Sequence, residues 1–84
     1  MTVYVVMIVD RHTDEDVEVF ARRESALAFA RRHVDERRTH WKYTPEPEDE
    51  MHPSDLERVG WLYYGQYSRE GDCVWVMPKV VVDE

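Results

Sequence analysis

"VGWLYYGQYSREGDCVWVMPKVVV", Val59 to Val82, is the stretch that decides the fold. Two runs rich in valine and aromatic residues flank Arg69-Glu70-Gly71, and such side chains suit a pleated, half-buried strand. Gly71 can supply the left-handed residue of a three-residue hairpin loop. That loop sets Ser68 opposite Asp72 and fixes the register of both strands. Tyr67 then faces Cys73, Gly65 faces Trp75, Tyr63 faces Met77 and Trp61 faces Lys79. One face of the hairpin therefore collects Trp61, Tyr63, Tyr67, Trp75 and Met77, with Gly65 leaving room for the Trp75 ring. Leu62, Tyr64, Val74, Val76, Val80 and Val82 form the other. Pro78 cannot donate to a ladder, so it marks a bulge or an edge.

Working outward, Thr2 to Val9 is apolar at both alternate sets of positions, the mark of a central strand covered on both sides. Asp16 to Ala21 alternates as a second strand, and the polar residues between the two make a hairpin. Arg23 to about Arg38, running on toward Trp41, is helical, with its apolar side chains on an arc about 160° wide. Ala26, Ala30 and Val34 on that arc are small enough to sit close to the Val74 and Val76 face. His33 is expected at the edge of the core with a local partner. On the solvent face, Arg31–Asp35 and Arg32–Glu36 are i,i+4 pairs. Thr44 to Pro53 shows neither period and reads as a flexible, acidic, proline-rich segment. "SDLE" at Ser54 to Glu57 matches a capping box, which predicts a short helical turn near 54–58 with Leu56 and Val59 inward. The order β-β-α-β-β makes a single α+β domain over residues 1–84: one antiparallel four-stranded sheet with one main helix on one face.

The chain has 84 residues and a net charge of −7. A domain this small has a thin core. Cys73 is the lone cysteine, so no disulfide forms within the chain. A lone thiol fits a reducing cytoplasm. The apolar run Val3 to Val9 is too short to span a bilayer and lacks the flanks of a leader. The expectation is a cytoplasmic protein with no membrane contact. The charge is laid out in blocks. Asp10 to Glu18 and Thr44 to Arg58 are acidic, and the segment from Arg22 to Lys42 between them is basic. An acidic total, with only Arg69 and Lys79 near the aromatic face, argues against a nucleic-acid partner.

Chemistry finds little support. There is no glycine-rich phosphate loop, nucleophile elbow or Cys-x-x-Cys, so no catalytic residue and no cofactor are expected. "DRHTDED", Asp10 to Asp16, spaces acids like a calcium loop. Counting from Asp10, however, the sixth residue is Glu15 instead of glycine and the twelfth is Ala21 instead of glutamate. It reads as a polar turn. His33 and His40 are two helical turns apart, about 10 Å of rise, too far to share an ion. No metal site is expected.

The aromatic face carries the functional reading. One helix covers one sheet face, so the face with Trp61, Tyr63, Tyr67, Trp75 and Met77 must be covered otherwise. The 44–58 segment, with Met51 and Leu56 as anchors, a second copy of the chain, or a foreign partner can do it. The sequence points to a non-enzymatic protein-interaction module or homodimer. One alternative is an acidic inhibitor or antitoxin-like protein engaging a basic partner through Glu46, Glu48, Asp49 and Glu50. Another is a small-ligand or metal-binding protein.

Overall fold

Alternation of β-branched residues and a 19-residue run of helical period produce the elements of the computed structural model, which describes residues 1–82. The strands are Thr2–Val9 (β1), Asp16–Phe20 (β2), Tyr63–Gln66 (β3) and Cys73–Val80 (β4). The helices are Arg23–Trp41 (α1) and the short Pro53–Val59 (α2). The element order is therefore β-β-α-α-β-β, and the four strands form one antiparallel sheet in the order β2-β1-β4-β3. β1, apolar on both faces, is central as its composition demands.

α1 lies across one face and packs on all four strands. Ala26, Ala30 and Val34 are fully buried there against Val6 and Ile8 of β1 and Val74 and Val76 of β4. Each buried valine or isoleucine contributes about 1.5–3 kcal/mol relative to exposure. Val80 and Val82, expected beside them, stay 65% and 78% exposed. The chain's smallest dimension is 20 Å. That thickness accommodates one sheet and one helix layer, since packed layers lie about 10 Å apart.

The C-terminal hairpin departs from the expected register by one residue. Tyr63 pairs with Val76, Tyr64 with Trp75, Gly65 with Val74 and Gln66 with Cys73. The cause is the loop. Tyr67 N–H donates to the Asp72 carbonyl (2.8 Å), so four residues turn the chain instead of three. Gly71 N–H reaches the Ser68 carbonyl at 3.2 Å, and the Ser68 hydroxyl accepts from the amides of Glu70 and Asp72. Gly71 is still the left-handed residue, with φ of 93°. A one-residue shift turns every side chain to the opposite face. Tyr63, Gly65 and Tyr67 consequently face α1, and Tyr64 faces away.

Gly65 now makes room for the helix instead of for Trp75. A Cβ there would sit 2.9 Å from Val34 Cγ2 and 2.6 Å from the Tyr63 hydroxyl oxygen. Upstream, Leu62 N–H also donates to the Val76 carbonyl (2.7 Å), so Leu62 and Tyr63 together oppose one residue, a β-bulge. The bulge restores the parity of Trp61, which stays on the face away from α1. Pro78 pairs with Tyr4 of β1 and lies past the end of β3. Val76 turns its carbonyl to β3, and Pro78, two residues on, turns its missing N–H the same way.

α2 is capped two residues earlier than the sequence pattern implied. His52 is the N-cap, its Nδ1 accepting from the Ser54 amide at 3.2 Å, and Pro53 takes the first helical position, where no N–H is needed. Val59, expected inward, is 47% exposed. Gly60 ends the helix in the left-handed conformation (φ 78°). Residues 44–53 contain one 3-10 turn, Pro47–Asp49.

Candidate functional site

The face away from α1 is built from rows that cross the whole sheet. Directly opposed residues share a face. Val17, Met7, Trp75 and Tyr64 therefore form one row from β2 to β3, and Val19, Val5 and Met77 form the next. Cys73 lies between Val9 and Gln66 at one end, and Lys79 opposite Val3 at the other. Trp61 completes the surface, stacked on Trp75 at 4.7 Å between ring centroids and on Tyr64 at 6.0 Å. Val17 and Val19 are 48% and 59% exposed, while the central residues are partly exposed.

Of the five residues expected on this face, Trp61, Trp75 and Met77 are there. Tyr63 and Tyr67 are not, because the register shift turned them under the helix. Tyr63 lies beneath the Arg31 guanidinium, 5.9 Å from the ring centroid, and Tyr67 is fully buried. Tyr64 takes their place. Met7, Val5, Val17 and Val19 extend the surface across β1 and β2. The alternation of these strands was plain, but nothing in a single sequence says which alternate set meets Trp75.

The segment after α1 comes close to Tyr64 on β3. The Tyr43 hydroxyl donates to Asp49 (2.6 Å), and burial with that carboxylate pushes the Tyr43 hydroxyl up to about 12. Burial, with Cys73 and Asp49 nearby, likewise raises Tyr64 to about 12. Among the described residues, α2 has no packing on a strand comparable to that of α1. β1 and β2 lie on the far side of β4 from β3.

The acidic turn "DRHTDED" acquires an unexpected partner. The Asp10 carboxylate accepts from the Tyr67 hydroxyl (2.6 Å) and from the His12 amide (2.8 Å). Asp72, 2% exposed, accepts from the Arg11 amide and the Ser68 hydroxyl, each at 2.8 Å. Asp10, His12 and Asp72 place ligand-type atoms within 4.8 Å of one another. All four carboxylate oxygens nevertheless have protein donors, so the cluster ties the β1–β2 turn to the β3–β4 loop. Burial would raise the Asp10 carboxyl, but the Tyr67 and His12 hydrogen bonds outweigh it and hold the pKa below 3.8. A cleft of about 340 Å³ beside this tie is lined by His12, Trp41 and Tyr43, with Lys42, Ser68, Arg69 and Glu70. The His12 and Trp41 rings stack there at 5.5 Å.

His33 sits at the core edge as expected, between Phe29 and Tyr67, with Arg37 Nε 3.4 Å from its Nε2. Burial first, then the Arg37 charge, lower its pKa from 6.5. The expected ion pairs Arg31–Asp35 and Arg32–Glu36 do not form among the described residues. Arg38 instead donates to the Gln66 carbonyl at the β3 edge (2.9 Å). In the 46–50 run, Glu46, Glu48 and Glu50 are exposed, but Asp49 turns back to Tyr43 and to the Glu46 amide (3.0 Å). Cys73 is 8% exposed, and burial raises its thiol above 9.0. Among the described residues no helix is long and apolar enough to cross a membrane.

No known protein family matches this chain, and neither a curated protein nor a solved structure matches it.

Proposed function

We propose that this chain is a non-enzymatic protein-interaction module that docks through the sheet face opposite α1. The observation that carries the reading is the chemistry of that face: apolar across four strands, with Lys79 as its single charge and Val17 and Val19 about half exposed. Monomers rarely leave so continuous an apolar surface to water. Trp61, Trp75 and Tyr64 supply the large, rigid side chains that anchor interfaces. The titratable groups support a binding role over a catalytic one. Asp10 and Asp49 are held low, the wrong direction for a general acid at neutral pH. The Cys73 thiol is raised, the wrong direction for a nucleophile.

The test is substitution of the stacked pair. Trp61→Ala and Trp75→Ala are expected to abolish association in solution while far-UV circular dichroism and a cooperative melt persist. Unfolding of both variants would make the stack part of the core and defeat the reading. A second reading, an acidic inhibitor-like protein engaging a basic partner, rests on the exposed Glu46, Glu48 and Glu50. Its signature is binding that weakens steeply with salt.

A further inference from the structure

We infer that the occupant of the open face is a second copy of this chain, packed sheet on sheet about a two-fold axis. The inference rests on the docking role proposed above and adds the partner. Three features support it: size, charge and shape.

Four strands spaced about 4.8 Å apart, two of eight residues, one of five and one of four, each residue rising about 3.3 Å, give a footprint of roughly 400 Å². Two such footprints bury roughly 800 Å², the size of a weak, reversible interface. The chain carries a net charge of −7, yet none of its acids lies on this face. A basic partner would find its counter-charges elsewhere, on the β1–β2 turn and the 46–50 run. The face itself, with Lys79 at one end as its single charge, matches another largely uncharged surface, as the cores of homodimer interfaces do.

The shape is self-complementary. The β2–β1 half presents mostly valines, Val5, Val17 and Val19 among them, with the longer Met7 beside Trp75. The β4–β3 half stands higher, built from the Trp61–Trp75–Tyr64 stack. An axis lying in the interface along the seam between β1 and β4 sets the valine half of each copy over the aromatic half of the other. The contact is then isologous and closes at two copies. The twist of the sheets sets their strands about 30° apart, as in a sandwich.

The experiment is solution mass by light scattering over about 1–200 µM, the range that brackets a micromolar Kd. The expected mass is twice the 10.1 kDa of one chain. Val19→Arg, at a 59% exposed position that cannot unfold the core, is expected to weaken association at least ~10-fold by burying an unpaired charge. Val5→Arg, mid-face on β1, separates this geometry from strand pairing at the β2 edge, which would tolerate it. A dimer unaffected by either variant overturns the face-to-face arrangement. A wild-type monomer throughout the range overturns self-pairing, and acrylamide quenching in a Trp41→Phe background then judges the docking role. Quenchable Trp61 and Trp75 leave the face open to a foreign protein. Protected ones show that the chain covers its own face, which removes the docking role as well.

Discussion

At the scale of single residues, Gly65 and Tyr67 set how closely α1 meets the sheet. Adding a Cβ at Gly65 forces Val34 or the Tyr63 ring to move, because both lie closer than real Cβ contacts allow. Gly65→Ala is expected to destabilise by about 1–3 kcal/mol in urea unfolding, the usual cost of overpacking. The Tyr67 hydroxyl is one of two donors to Asp10, and hydrogen bonds to charged groups contribute about 1.5–3 kcal/mol. Tyr67→Phe should cost an amount in that range at neutral pH. Because the folded Asp10 pKa lies below 3.8, its contribution is complete above that value and is lost as pH falls through the folded pKa. The gap between wild type and Tyr67→Phe should therefore close in acid. A gap that persists at pH 2 would place its origin in packing instead. Neither role was legible from the residue types: glycine in a strand signals close approach without saying by what, and Asp10 and Tyr67 are 57 positions apart.

At the scale of elements, the sequence was most legible where a period is long. α1 runs from Arg23 to Trp41 as its pattern implied, and Ala26, Ala30 and Val34 are its buried stripe. It failed where one residue of loop length decides. Ser68 orders a four-residue turn by accepting two amides, and the register of the hairpin followed the turn. The face assignment of Tyr63, Tyr64 and Tyr67 then inverted, while the bulge at Leu62 and Tyr63 kept Trp61 where it was expected. A turn's side-chain hydrogen bonds are worth about 1 kcal/mol each, too little to show in composition yet enough to choose between registers. α1 also carries a pH response. His33 is disfavoured as a cation by burial and by Arg37, with Glu36, Asp10 and Asp16 opposing. Its folded pKa is below 6.5, so its stabilising contribution is full above 6.5 and declines as pH falls through the folded value. His33→Gln is expected to flatten the slope of stability against pH just below 6.5, measured by chemical denaturation. An unchanged slope would assign the response to another group.

At the scale of the whole molecule, the separation of charge from apolar surface sets how association responds to salt. Two copies each bearing −7 repel, and raising ionic strength shortens the Debye length from about 10 Å at 0.1 M to about 3 Å at 1 M. Self-association through the sheet face should therefore tighten with added salt. Association that weakens with salt would favour contacts through Glu46, Glu48 and Glu50. The sequence by itself determined the α+β class, the central place of β1, the buried stripe of α1 and the location of the acids, because these follow from period and composition along one local stretch. Only the tertiary structure decided which tyrosines face the helix, that Val17 and Val19 share a surface with Trp75, and that Asp72 braces the turn at Asp10. These depend on the register and order of strands far apart in the chain. There a shift of one residue reverses a face while leaving the sequence pattern unchanged.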